Sequence, residues 1–162
     1  MRKVTLVNRE QGFTLIELLI VSIIVGILAT LVAMTYSGVQ AKNRNTDRQA
    51  RLNNLQSQLE TYYAQKSQYP SLKQLNDPKW REDNLKEFPS EAVEDPQWDE
   101  TITDCRVGDK PALADKPSKK CYSYQATTSD GSPCTDEAVA CAQYTLTALL
   151  EGGEKYVKSS LN

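Results

Sequence analysis

The chain has 162 residues, enough for one domain of ordinary size and too few for separate binding and catalytic modules. Nineteen basic against 21 acidic residues leave a net charge of −2, which excludes nucleic-acid binding by gross electrostatics. There is no histidine, which removes the usual general base near neutral pH, the serine–histidine and cysteine–histidine nucleophile pairs and every histidine metal site.

Residues 13–35 read FTLIELLIVSIIVGILATLVAMT, 23 residues with Glu17 as the only charge. As a helix rising ~1.5 Å per residue this run spans roughly 34 Å, enough to cross a hydrocarbon core of about 30 Å. Arg2, Lys3 and Arg9 against Glu10 give the preceding segment a charge of +2, which keeps it cytoplasmic and sends the remainder outward. A secretory signal peptide is the competing reading. Its apolar region, however, runs only ~7–15 residues before a small-x-small cleavage site, and the sites near Ala29 and Ala33 have bulky residues at −3. No cysteine lies near the run, so a lipoprotein anchor is excluded.

Gly12 stands at the junction of the charged leader and the apolar run, with Glu17 five residues beyond it. A carboxylate inside a bilayer costs about 2.5–3.5 kcal/mol and is usually functional. A cut after Gly12 turns Phe13 into a free amino terminus with Glu17 one turn, roughly 6 Å, away. Such an amine, with a pKa of about 7.7–8, is largely cationic at neutral pH. A neighbouring subunit's amine then neutralises Glu17, and helices dock only where charge meets charge. The bland alternative has Glu17 snorkelling at the interface.

The string Gln11-Gly12-Phe13-Thr14-Leu15-Ile16-Glu17-Leu18-Leu19-Ile20-Val21 closely resembles the class III signal of type IV pilins and their relatives, the pseudopilins of type II secretion and the competence pilins. The resemblance implies cleavage between Gly12 and Phe13 by a prepilin peptidase, N-methylation of Phe13, and subunit docking through Glu17 and Phe13. It implies no cofactor. The partners it implies are copies of this chain and other pilins, the peptidase, an assembly ATPase and a platform protein, with membrane lipid before assembly. Many pilins carry a proline where this chain has Met34, which leaves Gly26 as the weak point of the span. Without residues 1–12 the chain carries 16 basic and 20 acidic residues, a charge of −4.

Beyond the span the helical pattern continues. No proline occurs between Phe13 and Tyr69, and Leu52, Leu55, Leu59 and Tyr62 recur on one helical face. One helix is predicted over 13–65, with 13–35 as membrane or filament-core part and 36–65 as an amphipathic continuation bearing a core stripe. Lys42, Arg44, Asp47, Arg48 and Arg51 carry +3 between the halves. They read as a solvated face, or as contacts to anionic lipid, to acidic heads in a filament or, weakly, to DNA.

Residues 66–162 are predicted to form the head, beginning with a long connection. Ser67–Lys120 holds six prolines and both tryptophans, Trp80 and Trp98, as interface or core anchors, with short helices near Ser71–Leu75 and Pro78–Phe88. Two strands follow. Cys121–Thr127 places Tyr122, Tyr124 and Ala126 on one face, and Gln143–Leu150 does the same with Tyr144, Leu146, Ala148 and Leu150. Ser129–Pro133 is turn chemistry, Gly152-Gly153 ends the second strand, and Lys155–Leu161 adds a short edge or lies loosely. The fold class is α+β, an antiparallel sheet on one long helix.

Cys105, Cys121, Cys134 and Cys141 all fall in the head, without a C-x-x-C pair, so disulfides are favoured over metal or redox chemistry. Of three connectivities, Cys105–Cys121 with Cys134–Cys141 is favoured, because Cys121 opens one strand and Cys141 precedes the other, and antiparallel pairing separates them. Asp130, Asp136 and Glu137 are weak calcium candidates. Their spacing does not match an EF-hand loop, and a plain polar loop is the simpler reading. The chain therefore reads as a non-enzymatic filament subunit of the type IV pilin kind. A pseudopilin of a secretion or DNA-uptake system is the alternative, and a membrane-anchored domain that never polymerises is the reading from a different class.

Overall fold

In the computed structural model, which describes residues 12–85, 88–135 and 140–162, one helix dominates: α1, Leu15–Lys66. A reciprocal cap starts it. Thr14 Oγ1 accepts from the Glu17 N–H at 3.3 Å, and Glu17 Oε2 accepts from the Thr14 N–H at 2.9 Å. The helix runs unbroken through Gly26 and Gly38, so the weak point anticipated at Gly26 is helical. It ends where Ser67 takes φ 56° and its N–H bonds the Tyr63 carbonyl at 2.7 Å.

The chain divides after Gln40 into two compact units. In the first, every side chain described is exposed. The second, Ala41–Asn162, is the head, and its core begins on α1 with Leu52, Leu55 and Leu59, all fully buried, and Tyr62. Each leucine so buried contributes about 1.5–3 kcal/mol.

After α1 come two short helices, α2 (Leu72–Asn76) and α3 (Pro78–Asn84), each started by a side-chain cap. Ser71 and Gln74 form a capping box on α2, and Asp77 caps α3 ahead of Pro78. The helix predicted over Pro78–Phe88 stops at Asn84. Leu85 turns extended and buries itself, its N–H returning to the Arg81 carbonyl at 2.8 Å. A 3₁₀ turn over Ser90–Val93 and a small hairpin of β1 (Arg106–Val107) and β2 (Lys110–Pro111) were not anticipated. Their lengths leave no period to read.

The main sheet is antiparallel in the order β3-β4-β5, with β3 Ser123–Thr127, β4 Gln143–Leu149 and β5 Lys155–Ser159. Tyr124 faces Leu146 and Ala126 faces Tyr144 in register, and these side chains join Tyr122, Ala148 and the α1 leucines in one cluster. Leu150, expected on the buried face, lies past the end of β4. Tyr62 tilts against Trp80 at 5.3 Å, and Tyr69 meets Tyr144 edge-on at 4.7 Å. The fold is α+β and pilin-like in its arrangement of long helix and small sheet.

The β4–β5 turn uses two left-handed glycines, Gly152 at φ 112° and Gly153 at φ 92°. No atom approaches a Cβ built on Gly152, so Gly152→Ala tests backbone strain alone. Urea denaturation should show a loss of about 1–3 kcal/mol.

Candidate processing and docking site

The amino-terminal site is an exposed peptide leading into an exposed helix. Gly12 and Phe13 precede α1 in uncovered chain without regular structure, and Phe13 is 80% exposed. The Glu17 carboxylate folds back on Thr14, accepting from its N–H and, at 2.6 Å, from its hydroxyl. The carboxylate is thus held one residue from the Phe13 nitrogen, at the positive end of the helix dipole. From Leu15 to Val39 large apolar side chains stand exposed around the helix, and Ser22, Thr30 and Thr35 return their hydroxyls to backbone carbonyls 2.7–3.0 Å away. Such hydroxyls carry no unsatisfied donor into an apolar medium. The helix is long and apolar enough to cross a membrane. Residues 1–11 lie outside the described chain.

The basic group of α1 does different work from that expected of a solvated face or a lipid or phosphate contact. Arg48 is 2% exposed, and its guanidinium grips Asp95, itself 3% exposed, through two bonds of 2.7 and 3.0 Å. It also donates to Asn45, Gln97 and Glu151. Arg44 forms a second two-pronged pair with Glu151, its Nη2 lying 2.7 Å from Oε2. Arg51 donates to the carbonyls of Glu91 and Glu94 at 2.7 and 2.8 Å. Asn45 exchanges two hydrogen bonds with the Glu151 backbone. Three arginines therefore fasten the helix to the 91–97 segment and to the β4–β5 turn. A signal for this was present in the spacing: Arg44 and Arg48 extend the Leu52-Leu55-Leu59-Tyr62 face backwards by four residues each. Lys42 and Asp47 remain exposed.

Arg44, with Arg48 beside it, holds the Glu151 carboxyl down to about 2. Its ordinary value in an unfolded chain is about 4.3. A depressed carboxylate stabilises the fold fully above the unfolded value, and that stability is lost as pH falls through the folded one. Acid titration of the unfolding midpoint should therefore show a decline between about pH 4.3 and 2, with a shallower slope in Glu151→Gln. The slope persists in part, because Asp99, bonded by Thr101 and by Lys120, is also lowered to about 2.

Disulfides join Cys105 to Cys121 and Cys134 to Cys141, each with Cα atoms 5.7 Å apart. Trp98 packs against the first. The second lies at the exit of α1, where the Tyr69 N–H donates to the Cys141 carbonyl at 2.9 Å. Trp80 belongs to the main core cluster. Asp130 serves its own turn, accepting from the Thr128 hydroxyl and from the Ser132 N–H at 3.1 Å. Asp136 and Glu137 lie outside the described residues.

Residues 7–33 match the family described as the prokaryotic N-terminal methylation motif. Over 67 residues the chain is 36% identical to the type II secretion system core protein G of Dickeya chrysanthemi, which covers 41% of this chain and 44% of that protein. The protein of the same name from Pectobacterium carotovorum subsp. carotovorum is 35% identical over 66 residues, 41% of this chain and 42% of its own length. The chain thus spans less than half the length of these curated relatives. No solved structure matches.

Proposed function

We propose that this protein is a structural subunit of a type IV pilin-like filament and not an enzyme, processed after Gly12, methylated at Phe13 and polymerised through α1. The observation that carries the reading is the match to the methylation motif over residues 7–33, which runs into a helix whose apolar half has no partner among the described residues. Before assembly the apolar half anchors the subunit in the cytoplasmic membrane, with the head on the extracytoplasmic side. On assembly it passes from the bilayer into the filament core, where it packs against the helices of neighbouring subunits. Glu17 fixes the register by meeting the Phe13 amine of a neighbour. A prepilin peptidase, an assembly ATPase and a platform protein are the partners this requires. DNA is not among them on present grounds, because the arginines that suggested it are spent inside the head.

A second reading, a pseudopilin of type II secretion, is favoured by the names of the two relatives. It predicts a short periplasmic structure instead of a surface fibre, and thermal stabilisation by calcium through the 130–137 region.

Intact mass and amino-terminal sequencing of sheared surface material test the reading. A chain beginning at methylated Phe13 in that fraction supports a surface filament. The same processed chain confined to the envelope favours the pseudopilin. An uncut Met1 form sinks both and promotes the anchored, non-polymerising domain.

A further inference from the structure

The head has a cleft of about 490 Å³ that neither processing nor helix docking uses. Arg48 lines it together with Gln97, Lys119, Lys120, Glu151 and the apolar pair Leu149-Leu150. Three cations and one carboxylate line it; Arg48 is answered by Asp95, and the carboxylate is taken up by Arg44 and Arg48. Lys120 is paired with Asp99 at 3.0 Å, whereas Lys119 is exposed and has no partner among the described residues. Gln97 gives its carbonyl oxygen to Arg48, and its amide NH₂ likewise has no acceptor among the described residues. An ammonium and an amide donor beside apolar walls suit a carboxylate on a short aliphatic stem.

The chain carries such groups on a surface that contributes nothing to the cleft. Glu82 and Asp83 are exposed neighbours in the last turn of α3, and neither has a partner among the described residues. Carboxylates at the carboxyl end of a helix oppose its dipole, so they do not serve α3 itself. Two other exposed acids, Glu100 and Glu91, are less suited. Glu100 lies beside Asp99, which already answers Lys120 at the cleft rim, and Glu91 belongs to the segment that Arg51 clamps.

We propose that the cleft receives the Glu82-Asp83 end of α3 from a second copy of this chain. The two surfaces differ, so the contact is heterologous, and a heterologous contact that does not close on itself propagates as a filament. This inference rests on the filament reading and adds to the helix contacts a charged head contact that salt should weaken.

The test uses the full-length chain in a filament-forming host. Lys119→Cys and Glu82→Cys placed in one chain should, after treatment of sheared filaments with a bis-maleimide long enough to span a Lys–Glu pair, give a ladder of covalent multimers that neither single variant gives. Lys119→Glu alone should lower filament yield about tenfold, and adding Glu82→Lys with Asp83→Lys should restore much of it. Double-cysteine filaments without a ladder, together with Lys119→Glu filaments at wild-type yield, overturn the contact and leave the filament reading standing. A cross-link from position 119 to any other protein overturns it as well. Correctly processed wild-type chain that forms no filament overturns both.

Discussion

Replacing Asp95 by alanine should lower the unfolding free energy of the full-length chain in detergent by about 3–5 kcal/mol, because it leaves a guanidinium buried without its counter-charge. The cost is large for three reasons that the geometry supplies. Arg48 and Asp95 are both almost wholly buried, they are joined by two parallel bonds, and Asp95 also accepts the Gln97 N–H at 2.9 Å. Exposed ion pairs in the same molecule, such as Lys120 with Asp99, are solvent-screened and should matter far less. Urea denaturation read by circular dichroism measures the difference, and a change of less than about 1 kcal/mol would mean that solvent reaches the pair. The double variant Arg48→Met with Asp95→Leu separates the two possible origins of the loss. Most of the stability should return, since an apolar pair of similar bulk escapes the desolvation that the charged pair must offset.

Glu17→Leu should abolish filaments while leaving membrane insertion intact. The substitution removes the only charge from the 13–35 run, so partition into the bilayer improves. On the proposed assembly the loss is of the register between helices, and with it an ion pair in a low-dielectric setting, which corresponds to at least about a hundredfold fall in assembled subunit. Counting processed chain in the membrane against chain in the sheared fraction gives the result directly. Abundant filaments from Glu17→Leu would show that apolar contacts alone align the subunits. Glu17→Asp keeps the charge on a shorter stem and should assemble at an intermediate level.

Much of the architecture was legible because it repeats. The α1 stripe recurs every three or four residues over Leu52–Tyr62, and the strand faces of Tyr122-Tyr124-Ala126 and Tyr144-Leu146-Ala148 alternate strictly; all of them are buried. The methylation motif was legible for another reason, since the string from Gln11 to Val21, with its lone carboxylate in an apolar run, resembles a specific signal. The Arg48–Asp95 pair was not legible, because its partners lie 47 residues apart and an arginine on a helix ordinarily points to water. In the 67–120 segment the two short helices were legible while the 3₁₀ turn and the β1–β2 hairpin were not, for lack of period, yet it contains a local rule that repeats. Asp77-Pro78-Lys79-Trp80 and Asp95-Pro96-Gln97-Trp98 share a pattern, and in each the aspartate accepts the N–H two residues on. The shared turn sets each tryptophan close behind it, Trp80 on the main core and Trp98 on the Cys105–Cys121 cluster.

The exposure of every described side chain of α1 up to Gln40 also sets what a calorimeter will see. Heat-capacity change on unfolding reports apolar surface newly given to water. In a micelle the amino-terminal helix keeps its apolar surface in detergent before and after the head melts, so it contributes almost nothing. The increment should then match residues 41–162 alone, about 1.6 kcal/mol/K, instead of the roughly 2 kcal/mol/K of a globular protein as long as the processed chain.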